Sequence, residues 1–177
     1  QSVYDALLLQ TRLSPYLEAV ELTLEDPYID YDAARMADPD FDADQEEAEP
    51  TIDFTGTYAY FNTRYGESPG EAMRDLLDLQ RISGSILNNM GWNGLGQLRG
   101  WLADSVSTND EALQANLISA LADFGYPGLC TRGDGTWASE AIIGADAGSI
   151  LNGNSDDDLI LGGSGDDTLH GGTGTDT

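Results

Sequence analysis

Asp158, Asp167 and Asp176 stand nine residues apart, each closing a short run rich in glycine. Glu140 occupies the same place eighteen residues before Asp158, and Ser149 the same place before Asp167. Carboxylates repeated among glycine carbonyls form an oxygen-only donor set. Such a set in a flexible turn suits calcium over zinc or magnesium, because calcium accepts many oxygens without strict geometry.

No other set of residues points as clearly to chemistry. The one histidine, His170, ends a repeat and is expected to face solvent. There is no His-Glu-x-x-His pair, no Gly-x-Ser-x-Gly elbow and no phosphate loop. With 32 acidic residues, no carboxylate pair stands out as acid and base. Asp38, Asp40, Asp42, Asp44, Glu46 and Glu49 approach the spacing of an EF-hand loop, but Ala43 replaces the glycine of the sharp turn and Pro39 interrupts the entering helix. That run reads as a solvated acidic loop. Arg132-Gly133-Asp134 spells an adhesion tripeptide, and a match of this length arises by chance. The expectation is a non-catalytic chain.

The formal net charge is -25, all seven basic residues are arginine, and nucleic acid is an unsuitable partner for want of clustered cations. Cys130 is the only cysteine, so no internal disulfide forms. No apolar run reaches the ~20 residues of a membrane span. No signal peptide is expected, since Gln1 leads directly into Val3, Tyr4 and Leu7. Thr177 falls inside a repeat, so the chain is expected to be a fragment of something longer.

The repeats begin at Gly135 and read GTWASEAII, GADAGSILN, GNSDDDLIL, GGSGDDTLH and GGTGTDT. The fourth fits the calcium-binding nonapeptide G-G-x-G-x-D-x-U-x, with Gly162, Gly163, Gly165, Asp167 and Leu169 at its fixed positions. The fifth supplies Gly171, Gly172, Gly174 and Asp176. The third keeps Gly153, Asp158 and Ile160, with Asn154 and Asp156 in place of two glycines. Six residues of each unit form a turn and three a short strand. Ile142, Leu151, Ile160 and Leu169 would stack inward, and two units would make one coil. Successive coils stack as parallel strands, so turns of unit n meet those of unit n+2. The candidate cation sites therefore pair Asp158 with Asp176, Asp167 with Ser149, and Glu140 with Asp158. Asp156 and the carbonyls of the turn glycines complete the donor set.

The region before the repeats reads as mainly helical. Residues 3–13 form one expected helix, and Ser14-Pro15 is expected to cap a second. Residues 20–24 alternate with strand period, as do 52–54, and are expected to pair as a hairpin around an acidic insert at 25–50. Tyr58, Phe61 and Tyr65 have helical spacing. Ser68 with Glu71, and Thr108 with Glu111, read as capping boxes for two further helices. Leu95, Leu98, Trp101 and Leu102 mark another between them, and Gly125 and Pro127 stop the last. The fold class expected is α+β: a mainly helical domain over 1–134 with a short hairpin, followed over 135–177 by a truncated parallel β-roll. The helical part is placed to cap the roll, since solenoids need capped ends.

Residues 135–177 resemble the RTX (repeats-in-toxin) family. The stretch Leu8-Leu9-Gln10-Thr11-Arg12-Leu13-Ser14-Pro15-Tyr16-Leu17 is similar to a segment preceding the repeats in iron-regulated, Frp-type members. Asp53-Phe54-Thr55-Gly56 and the helix at Ser68-Pro69 continue the similarity more loosely. The resemblance implies Ca2+ binding, export by a type I secretion apparatus, folding outside the cell, and a secreted or cell-surface location. Some relatives cut themselves at Asp-Pro bonds. Asp26-Pro27 and Asp38-Pro39 occur here without the rest of that module. Two other readings stay open: a segment of a toxin or adhesin that binds a host surface through the Tyr- and Trp-rich stretch 58–101, and a fragment of a self-processing or hydrolytic enzyme.

Overall fold

A computed structural model describes residues 2–23, 51–131, 133–145 and 147–177. The acidic insert 25–50, its EF-hand-like run, both Asp-Pro bonds and Arg132 lie outside the described residues.

Six helices occur among them: α1 Val3–Gln10, α2 Ser14–Glu18, α3 Thr55–Glu67, α4 Pro69–Asn89, α5 Gly94–Ser107 and α6 Glu111–Ala122. Their ends depart from the expected caps. Leu13, not Ser14, is the N-cap of α2, while Ser2 and Asp5 form a reciprocal capping box on α1. Ser68 makes no side-chain cap, because it is the shared hinge of two helices: its N–H donates to Arg64 and its carbonyl accepts from Ala72. Asp110, not Thr108, caps α6 by accepting from Leu113 N–H, while Thr108 turns its hydroxyl back to Asp104 at 2.9 Å. Asp fits this place because it accepts an otherwise unpaired amide at the positive end of the helix.

Glu21–Thr23 (β1) and Thr51–Asp53 (β2) pair antiparallel, with Leu22 opposite Ile52. Most of the aromatic rings of 58–101 fold inward, with Tyr60 left exposed. Phe61, Trp92 and Trp101 are buried. Tyr16 stacks on Phe61 at 3.9 Å, Tyr58 on Trp92 at 4.7 Å, and Tyr65 on Trp101 at 4.4 Å. The stretch at 8–17 is tied to α4. The Tyr16 hydroxyl donates to Asp75 at 2.6 Å, and Arg12 ion-pairs with both Asp75 and Asp78.

The repeat region holds β3 Leu129–Cys130, β4 Ala141–Ile143, β5 Ile150–Ser155, β6 Leu159–Leu161 and β7 Thr168–Thr173. The parallel β-roll expected here is not what the described residues form. They give a three-stranded sheet in the order β3-β4-β6 and a separate two-stranded sheet, β5-β7. With β1-β2 these are small separate sheets, and none is a closed or solenoid sheet. The physical reason lies in how few units there are and in what each side packs against. Alternate units send their strands to opposite sides, so Ile142 pairs with Ile160 and Leu151 with Leu169. Each side thereby collects only two or three strands, and the two sides meet different surroundings.

One side is covered by helices. Ala141, Ile143, Leu159 and Leu161 belong to the same buried cluster as Leu98, Trp101 and Leu102 of α5. The hydrophobic core thus runs across residue 134. Between the sheets, Ile142, Leu151 and Ile160 make a second, thin cluster. Leu169 was expected to join it but is 48% exposed. On the β5–β7 side, Ile150 and His170 face solvent.

Candidate cation site

The turns between the strands stack at intervals of eighteen residues, and one hydrogen bond recurs at each step. Glu140 N–H donates to Asp158 Oδ1 at 3.0 Å, Ser149 N–H to Asp167 Oδ1 at 2.8 Å, and Asp158 N–H to Asp176 Oδ1 at 3.1 Å. The structure therefore brings together all three expected pairs.

A side-chain oxygen of Glu140, Ser149 and Asp167 also accepts from an N–H of its own turn. Glu140 Oε1 accepts from Thr136 N–H, Ser149 Oγ from Ala145 N–H at 2.9 Å, and Asp167 Oδ2 from Gly163 N–H at 2.5 Å. Asp158 breaks this pattern. Its side chain is fully buried, and its Oδ2 has no hydrogen-bond partner. The residue that would supply the donor, Asn154, is instead drawn into β5 opposite Gly172. Burial pushes the Asp158 carboxyl above the usual aspartate range. The Glu140 N–H pulls it back, and the charges of Asp176, Glu140 and Asp156 raise it further.

A carboxylate oxygen buried without a donor is costly, which directs attention to what could stand beside it. A Cβ on Gly153 would collide with both Asp158 Oδ2 and the Gly171 carbonyl oxygen. These two oxygens, from successive turns, therefore converge on the space that glycine leaves open. Asp176 lies against Gly171 in the same way. The donors at this point are carboxylate and carbonyl oxygens, as a hard cation requires. Among the described residues no three His, Cys, Asp or Glu side chains gather closely enough to hold a metal on their own. A cation here would draw on backbone carbonyls as well as on Asp158 and Asp176.

The remaining expected donors take different places. Asp156 is exposed and has φ +68°, beneath Gly174 with φ +140°. Asn154 has φ +77°, beneath Gly172 with φ +105°. Asn and Asp tolerate this left-handed region better than most side chains, so they match Gly172 and Gly174 of the next turn, whereas Gly163 and Gly165 in the unit at 162 lie outside that region. Gly162 lies against the Asp167 carboxylate, Gly163 against the Ala145 carbonyl and Gly165 against Gly148. Gly163 and Gly165 let the backbones of neighbouring turns approach, while Gly162 leaves room for the Asp167 side chain of its own turn, as Gly153 does for Asp158.

Sequence reasoning missed two side chains. Asn154 Nδ2 donates to the Gly135 carbonyl at 2.8 Å, and Arg99 Nη2, from α5, donates to the Gly144 carbonyl at 2.7 Å. Asn154 was visible only as a departure from the repeat, and Arg99 lies outside it.

No protein-family model matches the chain, and neither a curated protein nor a solved structure does. The RTX resemblance therefore rests on the residues of the repeats and of the 8–17 stretch alone. No helix among the described residues is long and apolar enough to cross a membrane.

Proposed function

We propose that this chain is a calcium-binding module of a large secreted bacterial protein of RTX type, exported by a type I apparatus and ordered as calcium arrives outside the cell. The observation that carries this reading is Asp158 Oδ2. It is a buried, unpartnered oxygen beside the Gly171 carbonyl, in a turn stacked under Asp176. A divalent cation would supply the missing positive partner. It would also offset the repulsion among Glu140, Asp156, Asp158 and Asp176. The helical region supports the reading by covering one face of the repeats and holding the first turns in place. Inward packing of Phe61, Trp92 and Trp101 counts against a host-surface reading through an aromatic patch in that stretch.

A calcium titration followed by circular dichroism tests the proposal, on the intact chain and on Asp158→Asn. The reading expects a signal change near ~0.1–1 mM calcium, the range of extracellular modules, with the substitution shifting it to higher concentration. Identical titrations for both proteins would reject it.

A further inference from the structure

We infer that only one of the three stacked turn pairs takes a cation, and that the other two are closed by donors of the chain itself, Asn154 and Arg99. This assignment rests on the calcium reading above. The three pairs share one hydrogen-bond plan but differ in what meets their carbonyls and inner oxygens.

In the pair 135–140 with 153–158, the Asn154 amide already binds the Gly135 carbonyl, and Glu140 Oε1 is held by Thr136 N–H. In the pair 144–149 with 162–167, Arg99 binds the Gly144 carbonyl, and both Ser149 Oγ and Asp167 Oδ2 accept turn N–H groups. A Cβ on Gly163 would lie 3.2 Å from Arg99 Nη2, so the guanidinium sits beside both turns of that pair. Arginine keeps its charge at any accessible pH. A second cation placed there would face that fixed charge at close range. Among the described residues of the three pairs, only 153–158 with 171–176 keeps a buried oxygen without a donor, on Asp158.

The consequence is an order of events. The first turns, packed against α5, close without metal and present a ready-made edge. Calcium acts from Asp158 onward. Arg99 is a positioning residue that replaces a cation in the turns nearest the helices.

Two measurements on the 177-residue chain test this: calcium stoichiometry by calorimetry, and amide hydrogen exchange in excess chelator. The assignment expects one bound ion and protected Gly144 and Ser149 amides without calcium. In Arg99→Met those amides should exchange at least roughly tenfold faster, as loss of a charge-assisted hydrogen bond implies, with α4 and α6 unchanged. Asn154→Gly, remote from the helices, frees the Gly135 carbonyl and should raise the count to two ions. Two or three ions on the unaltered chain, unchanged exchange in Arg99→Met, or an unchanged count in Asn154→Gly would overturn the assignment and leave calcium binding intact. No bound ion at all would instead sink the calcium reading.

Discussion

The N–H of Glu140 donates to the carboxylate of Asp158, eighteen residues further along, at 3.0 Å. That bond uses one Asp158 oxygen and aims the other at the next turn, where no donor waits. A buried carboxylate with one oxygen satisfied and the other without a donor favours either a proton or a cation beside that oxygen. The same geometry sets what removal of the carboxylate charge should do.

Asp158→Asn should weaken calcium binding while stabilising the calcium-free protein. An amide in place of the bare oxygen can donate to the Gly171 carbonyl, and the buried anion is gone. The expected gain is about 1–3 kcal/mol at neutral pH in chelator, measured by urea denaturation. A loss of stability in chelator would show that Asp158 is already well satisfied.

The pH dependence follows from the raised Asp158 carboxyl. Its folded value lies above the ordinary 3.8, so the folded chain holds this proton more tightly than the unfolded chain. The stability linked to this group is therefore fully present below 3.8 and lost as pH rises through the folded value. Asp5 and Asp53 run the opposite way, because Ser2 with Arg81, and Thr55, hold them below the usual range. The Asp158 contribution is isolated by the difference between wild type and Asp158→Asn. In chelator, wild type should fall relative to the variant on raising pH from about 4 to 7, and calcium should remove the difference. A difference independent of pH would contradict the assignment of the shift.

The 8–17 stretch carries its own test. Burial pushes the Asp75 carboxyl up, while the Tyr16 hydroxyl and Arg12 hold it down. Tyr16→Phe removes one donor and should cost about 1.5–3 kcal/mol, the usual worth of a hydrogen bond to a charged group. Arg12→Leu leaves the buried Asp75 with Tyr16 as its remaining donor, while Asp78 keeps Arg81 at 2.8 Å, and should cost somewhat more, about 3 kcal/mol. Thermal and urea unfolding would check the order of the two.

Leu161→Ala should destabilise helices and repeats together, by about 2–4 kcal/mol, because Leu161 belongs to the shared core. Leu169→Ala, at a half-exposed position, should cost less than about 1 kcal/mol. A transition in which the helices melt unchanged in Leu161→Ala would mean that the two parts are energetically separate.

The contrast between those two leucines shows what the sequence carried and what was overlooked. The inward residues Ile142, Leu151 and Ile160 could be placed from the nine-residue period alone. The period treats all units alike, and they are not alike. Units at 135 and 153 flank their inward residue with Ala141 and Ile143, and with Leu159 and Leu161. The units at 144 and 162 use Ile150 with Asn152, and Thr168 with His170. Two apolar flanks mark the strands that face helices, and at least one polar flank marks those that face water. That difference divides the repeats into two unlike sheets, and a uniform roll misses it. The pairing of Leu129–Cys130 with β4 had no periodic signal, because the offset from Leu129 to Ala141 is twelve residues rather than eighteen. The caps were misplaced where two helices share a residue, as at Ser68, since a propensity names the residue type but not which helix end it serves.

The donor positions were legible as spacing, but their satisfaction was not. Asp158, Asp167 and Asp176 look equivalent in the repeat. Only the fold shows that Gly163 satisfies Asp167 while Asn154, pulled into β5, leaves Asp158 bare.

The most direct test of the central claim is a crystal structure of the chain grown with calcium at millimolar concentration. The account predicts a cation between the turns of 153–158 and 171–176, within about 2.3–2.6 Å of Asp158 Oδ2 and of turn carbonyl oxygens. A calcium-soaked crystal with no ion there, and with a protonated Asp158 Oδ2 donating to the Gly171 carbonyl, would contradict it.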